Sequence, residues 1–168
     1  MAAITLKGDT INTVGELPAV GSSAPDFTLT NGDLGEVSLD TFAGKKKILS
    51  IVPSLDTGTC AASAKRFDTE VAALDDTVVL NVSADLPFAQ GRFCSSEGTG
   101  NIVPLSSFRS PAFGSDYGLE FVDGPLRGLL SRAIVVLDAG NKVVYTEQVQ
   151  ETVDEPNYDA ALAAAKGA

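Results

Sequence analysis

Cys60 and Cys94 are the two thiols of a chain that contains no histidine. That absence removes every Ser-His-Asp or Cys-His catalytic pair and every imidazole ligand for zinc, copper or haem. Any nucleophile must be activated another way. Cys60 closes the segment Pro53-Ser54-Leu55-Asp56-Thr57-Gly58-Thr59-Cys60, and the helix that begins near Thr59 puts it in the first turn. Asp56 or Thr57 is the candidate N-cap. Backbone N–H groups without intrahelical partners, together with the helix dipole, favour the thiolate there, which is the nucleophilic form. A second reading stands beside it: Cys60 also falls on the apolar stripe of that helix, and cysteine packs as a small hydrophobe.

Cys94, in Phe93-Cys94-Ser95-Ser96-Glu97-Gly98, lies too far along the chain for a C-x-x-C redox pair. Two cysteines without histidine are also too few for a tetrahedral zinc site. A disulfide between them would close a loop worth roughly 3.8 kcal/mol in the chain-entropy account; two unrelated thiols are the alternative. Arg132 opens an apolar strand. A guanidinium at a strand end either points into the cleft beyond the sheet or stays solvated at its edge.

The elements that must position these groups follow from the apolar pattern. Ile48 to Val52, Thr77 to Val82 and Ala133 to Leu137 are near-continuous apolar runs, as strands covered on both faces require. Ile4 to Leu6 and Ile11 to Val14 flank Gly8-Asp9 and read as an N-terminal hairpin, and Asn31-Gly32-Asp33 turns Phe27 to Thr30 into Glu36 to Leu39. Asp138 to Asn141 turns the third run into a strand from Lys142 to Thr146. Cys60, Ala64, Phe67, Val71 and Leu74 form one stripe of a helix from Thr59 to Leu74. Leu86-Pro87 opens another helix, with Asp85 able to cap it, and Gly91 and Gly98 weaken it near Cys94. Asp154-Glu155-Pro156 repeats the pattern before an alanine-rich terminal helix. The order predicts one α/β domain over residues 1–168, a mixed sheet with helices on both faces.

Lys and Arg number 12 against 22 Asp and Glu, a net charge of −10. That balance argues against a nucleic-acid partner, whose phosphates demand the opposite sign. Lys45-Lys46-Lys47 reads as a solvated strand-edge cluster, with an anion site as the alternative. No apolar stretch has the ~20 residues of a membrane span, and the N-terminus lacks the features of a signal peptide. Asn81-Val82-Ser83, which lies in an apolar run, is therefore not expected to carry a glycan, and the chain is expected in the cytoplasm, where a cysteine pair is more often catalytic or redox-sensing than structural.

The spacing Pro53-x-x-x-Thr57-x-x-Cys60 resembles the peroxidatic motif of peroxiredoxins. Asp56 to Ser63, with Ser83 to Gln90 and Arg92-Phe93-Cys94, is similar to the bacterial thiol peroxidases among them, the atypical two-cysteine type. The resemblance implies a thioredoxin-like mixed sheet flanked by helices, an N-terminal β-hairpin extension and a homodimer. It implies Cys60 as the peroxidatic thiolate and Cys94 as the resolving thiol of the same chain. Thr57 would orient the sulfur and the peroxide, Arg132 would hold the thiolate and polarise the peroxide oxygens, and Pro53 would exclude water. The implied substrates are hydrogen peroxide and alkyl or lipid hydroperoxides. Leu86, Pro87 and Phe88 are candidate apolar walls for them, with core packing as the other role. The implied reductant is thioredoxin, with no metal, haem or flavin. The turn around Cys94, together with that around Cys60, is expected to unwind on oxidation. A disulfide reductase or redox sensor of the same fold, and a binding protein with inert thiols, are the competing readings.

Overall fold

A computed structural model describes residues 1–168. The first hairpin pairs β1 (Ala3–Leu6) with β2 (Asp9–Asn12), setting Ile4 opposite Ile11. Its two-residue turn is Lys7-Gly8, both at positive φ (52° and 88°), the turn whose twist matches that of the flanking strands. A second, very short hairpin joins β3 (Leu29–Thr30) to β4 (Glu36–Val37). The Asn31 side chain shapes its turn by accepting the N–H groups of Asp33 and Gly35.

The three apolar runs form the centre of the main sheet. They are β5 (Lys46–Ile51), β6 (Thr77–Ser83) and β8 (Ala133–Leu137). With β7 (Val103–Ser106) and β9 (Val143–Gln148) they complete seven strands in the order β4-β3-β7-β6-β5-β8-β9. β5, β6 and β7 run parallel, while β8 pairs antiparallel with both β5 and β9.

Alternate residues of these strands enter different cores, as pleating requires. Ile48, Val52, Val79, Ile134 and Val136 pack with Cys60, Phe67 and Leu162. These last residues come from α1 (Gly58–Val71) and α4 (Tyr158–Gly167). Leu49, Ile51, Leu80, Val82 and Val135 face the other way, toward Phe27 and the Phe113 and Tyr117 rings around α3 (Ala112–Asp116). The helix carrying Cys94, α2 (Pro87–Glu97), lies on the α1 side, where Phe93 packs against the same cluster.

Several local expectations change. β7 goes unread in the sequence because Pro104 interrupts its short apolar run, yet Pro104 stands opposite Asn81 in the ladder. α3 spans five residues and includes Gly114, too short and too weak a pattern to show. The terminal helix is capped by Asn157, whose Oδ1 accepts the Ala160 N–H; Pro156 precedes the cap. Gly98 does not weaken α2. It ends it in the left-handed conformation, φ 68°, the geometry glycine adopts most cheaply. The lysine cluster divides. Lys46 pairs with Asp76, but Lys47 is buried, its Nζ donating to the Lys45 carbonyl and the Asn141 side chain. Burial pushes its pKa down, against the Asp138 and Asp40 carboxylates that raise it, and at 0% exposure Lys47 is not part of a solvated cluster.

Candidate active site

β5 runs out at Ile51, and the chain passes through the buried Val52 and Pro53 into the exposed turn Asp56-Thr57 before α1 begins. Thr57 is the N-cap residue in extended conformation, but no side chain caps the helix. Thr57 Oγ1 instead donates to the Ser54 carbonyl at 3.2 Å, folding the loop back on itself. The expected side-chain cap from Asp56 or Thr57 is therefore absent. First-turn N–H groups are left for whatever charge Cys60 carries.

Cys60 is 0% exposed. Arg132, the residue before β8, is 3% exposed, and its Nη1 donates to Cys60 Sγ at 3.2 Å. Its Nε donates to the Thr152 carbonyl at 3.1 Å. None of the ion pairs in the molecule involves Arg132. A buried guanidinium demands compensation, and the sulfur is the group positioned to provide it. Of the two sequence readings of Arg132, the solvated edge is excluded. Cys60 packs in the apolar cluster, as the second reading of it has it, and its sulfur also accepts from a buried guanidinium.

α1 is held from two further sides. Thr59 Oγ1 donates to the Val153 carbonyl at 2.9 Å. One turn beyond Cys60, Ser63 Oγ meets the Tyr158 hydroxyl at 2.9 Å, and that hydroxyl reaches Glu155 Oε1 at 2.8 Å. Burial, with the Glu155 carboxylate adding to it, raises the Tyr158 hydroxyl to about 12, so it remains a protonated donor at neutral pH.

Asp85 has a different role from the cap read in the sequence. α2 has Leu86 as its N-cap residue, without a side-chain bond, and Pro87 in its first turn. The Asp85 carboxylate accepts Ser54 Oγ at 2.7 Å, the Leu55 N–H at 2.7 Å and Ser83 Oγ at 2.8 Å. Gln90 Nε2 extends the chain of bonds to Ser83 Oγ and the Leu105 carbonyl. Asp85 thus ties the loop that precedes Cys60 to the start of the helix that carries Cys94. The sequence signal was an acid at a strand end, and its long-range partners had no local signature. A cavity of about 370 Å³ opens beside this junction, lined by Leu55, Asp56, Asp85, Arg92, Phe93 and Glu97.

Both thiols are free, Cys60 buried and Cys94 partly so, each on its own helix. Arg132 and Cys60 meet; Pro53 and Thr57 lie on the loop just before α1, with the Thr57 hydroxyl turned to the Ser54 carbonyl, and Cys94 belongs to the neighbouring helix. Leu86 and Phe88 stand 50% and 72% exposed, which removes core packing as their role, and Pro87 is buried in the first turn of α2.

A cysteine in the first turn of the helix that follows a central parallel strand, with an arginine from an adjacent strand end bonded to its sulfur, defines a thiol-based redox protein of thioredoxin-like architecture. Known proteins agree. The Redoxin family model matches residues 19–162. A thiol peroxidase of Mycobacterium tuberculosis is 61% identical over 164 residues, 98% of each chain. One of Corynebacterium glutamicum is 51% identical, covering 98% of this chain and 99% of that one. The crystal structure of a peroxiredoxin-like protein from Aquifex aeolicus superposes with a TM-score of 0.92 at 35% identity, covering 99% and 97% of the two chains. The chain belongs to the Redoxin family, and within it to the thiol peroxidases of the peroxiredoxin class.

Proposed function

We propose that this enzyme reduces hydrogen peroxide and alkyl or lipid hydroperoxides through Cys60 and Cys94 and is recycled by thioredoxin. The observation that carries the reading is the 3.2 Å contact of buried Arg132 Nη1 with Cys60 Sγ. In the first step the Cys60 thiolate attacks the terminal oxygen of the hydroperoxide. The S–O bond forms as the O–O bond breaks, Cys60 becomes a sulfenic acid, and the departing alkoxide takes up a proton to leave as an alcohol. Arg132 steadies the sulfur and the polarised oxygens, Thr57 orients them through its hydroxyl, and Pro53 keeps water from the sulfur. Leu86 and Phe88 offer apolar surface to a long alkyl chain, with Pro87 setting the helix start that displays them.

In the second step Cys94 sulfur attacks the sulfenic sulfur, forming the disulfide and releasing water. Thioredoxin then reduces that disulfide by thiol exchange and is itself oxidised. Cys60 and Cys94 are unpaired and stand on separate helices, so the reading has a helix open to join the two sulfurs, and α2 is the element suited to do so. It buries just Pro87 and Gln90 and carries an interior glycine at Gly91, each such glycine weakening a helix by ~1 kcal/mol. The reading includes a cytoplasmic homodimer as the working form.

Purified protein with thioredoxin, thioredoxin reductase and NADPH is expected to consume NADPH only when cumene hydroperoxide is added. Cys60→Ser abolishes that consumption. Cys94→Ser allows one round of sulfenic acid formation and then stalls; full turnover by it would remove Cys94 from the cycle. Reduction of insulin disulfides without peroxidase activity would point to a reductase instead.

A further inference from the structure

The β1–β2 hairpin has its own small core, Ile4 and Ile11 against Phe121, and stands outside the seven-stranded sheet. The peroxide chemistry above makes no use of it, yet its hydrogen bonds lead to Cys60 in three steps. At the hairpin, Glu151 Oε2 accepts Thr5 Oγ1 at 2.7 Å and the Gly8 N–H at 3.1 Å, and Oε1 accepts the Lys7 N–H at 2.8 Å. Thr5 in turn holds the segment that contains Glu151. Its N–H donates to the Gln150 carbonyl, and its carbonyl accepts both the N–H of Thr152, at 2.8 Å, and the Thr152 hydroxyl, at 2.9 Å. From that segment two carbonyls face the site: Thr152 accepts Arg132 Nε and Val153 accepts Thr59 Oγ1 of α1.

A guanidinium is a rigid plane, so the acceptor at Nε decides where Nη1 points. Thr152 supplies that acceptor as a backbone carbonyl, which no side chain of its own can steer. Its direction depends on how residues 150–153 are held, and the hairpin holds them. From this geometry we infer that the N-terminal hairpin is part of the catalytic apparatus, a strut that aims Arg132 at Cys60, with Glu151 and Thr152 as its positioning residues. The inference rests on the reading of Arg132 given above.

Steady-state kinetics with varied hydroperoxide and varied reductant separates the two half-reactions. Glu151→Gln and Thr152→Val are expected to lower kcat/KM for the hydroperoxide about tenfold, the scale of a small misplacement of a positioning group. The kcat/KM for the reductant stays within about twofold of the parent value, the scale of a change with no specific role in that step. Thr152→Ser, which keeps the hydroxyl, restores the peroxide step. Equal losses in both half-reactions overturn the inference, because they mark a contact that only supports the fold. Unchanged kinetics in both variants overturns it as well. Arg132→Met tests the reading beneath. If it leaves the peroxide step intact, the role of Arg132 falls and the strut with it. If it slows that step while Glu151→Gln and Thr152→Val do not, only the strut falls.

Discussion

A guanidinium keeps its proton in any protein environment, so the sulfur 3.2 Å from Arg132 Nη1 meets a permanent positive charge in a place that water does not reach. Replacing that charge with an isosteric apolar chain leaves the sulfur with only the helix N-terminus to stabilise it. A hydrogen bond to a charged group contributes about 1.5–3 kcal/mol, which corresponds to roughly 10- to 100-fold in thiolate reactivity. Arg132→Met is therefore expected to slow alkylation of Cys60 by iodoacetamide at neutral pH by that factor. An unchanged alkylation rate would mean that Arg132 serves the fold and not the sulfur. Asp85 acts one layer further out. Asp85→Ala leaves the Leu55 N–H and two serine hydroxyls without their acceptor, a loss of about 1–3 kcal/mol. Circular dichroism melts report that cost, and the peroxide half-reaction slows with it. What could be read from the chain at this scale was local. Pro53, Thr57 and Cys60 lie in one short stretch of chain that runs from the loop into the first turn of α1, so their spacing was visible. Arg132 stands 72 positions from Cys60; its place at a strand end left the cleft and the solvated edge both open, and only the family resemblance linked it to the sulfur. The carbonyl of Thr152 was invisible, since any residue type supplies one.

Among the elements, α2 and the N-terminal hairpin are the two whose attachment the chemistry depends on, and they are attached differently. α2 is held by a polar chain through Gln90 and by an ion pair between Glu97 and Lys65 of α1, with little apolar burial. Gly91 is exposed, and a Cβ added there meets nothing within 4 Å. Gly91→Ala is thus expected to strengthen α2 by about 1 kcal/mol. If opening of α2 limits disulfide formation, that step slows about fivefold, the equilibrium factor for such a change. Quench-flow trapping of the sulfenic acid measures it, and an unaltered rate would separate resolution from helix opening. The hairpin is held by a carboxylate. The Thr5 hydroxyl first, then the Lys7 and Gly8 N–H groups, hold the Glu151 carboxyl down at about 2, from an ordinary 4.5. A carboxyl lowered in the folded state adds stability that is complete above the unfolded value and lost as pH falls through the folded one. The Lys7 and Gly8 amide resonances are expected to titrate together near the lower value; a midpoint at the ordinary one would show that these bonds are not formed in solution. The sequence pattern revealed the hairpin and the helix but not these attachments, because the partners of Glu151 lie far away in the chain and those of Gln90 sit on two neighbouring strands with no local signature.

For the whole molecule, continuity of apolar residues told which strands lie inside, and it failed where backbone chemistry interrupts the pattern. β5, β6 and β8 were legible because each is covered on both faces; β7 was not, because a proline sits in it, and the two faces of the sheet could not be assigned from composition alone. The path of the chain between the hairpin and β3 was equally illegible. It crosses the segment after α3, where Val14 N–H donates to the Glu120 carbonyl, the Val122 N–H donates to the Asn12 carbonyl and Thr13 bridges Phe121. Gly118 marks the tightest point of that crossing. Its φ is +70°, and a Cβ there would run into the backbone of Glu16. Neither partner can yield as a flexible side chain would, so Gly118→Ala must either strain its own backbone or push the N-terminal segment off the domain. Strain of that kind costs of order 1–3 kcal/mol per residue, a large share of the ~5–15 kcal/mol that holds a domain of this size together. The urea midpoint is expected to fall accordingly, while Gly32→Ala, at a position with open space and no positive φ, leaves it in place. The same substitution should also slow the peroxide half-reaction more than the reductant half-reaction, because the segment it displaces continues into the hairpin that holds residues 150–153. Loss of stability with both half-reactions equally affected would confine Gly118 to the fold and detach the N-terminus from the chemistry.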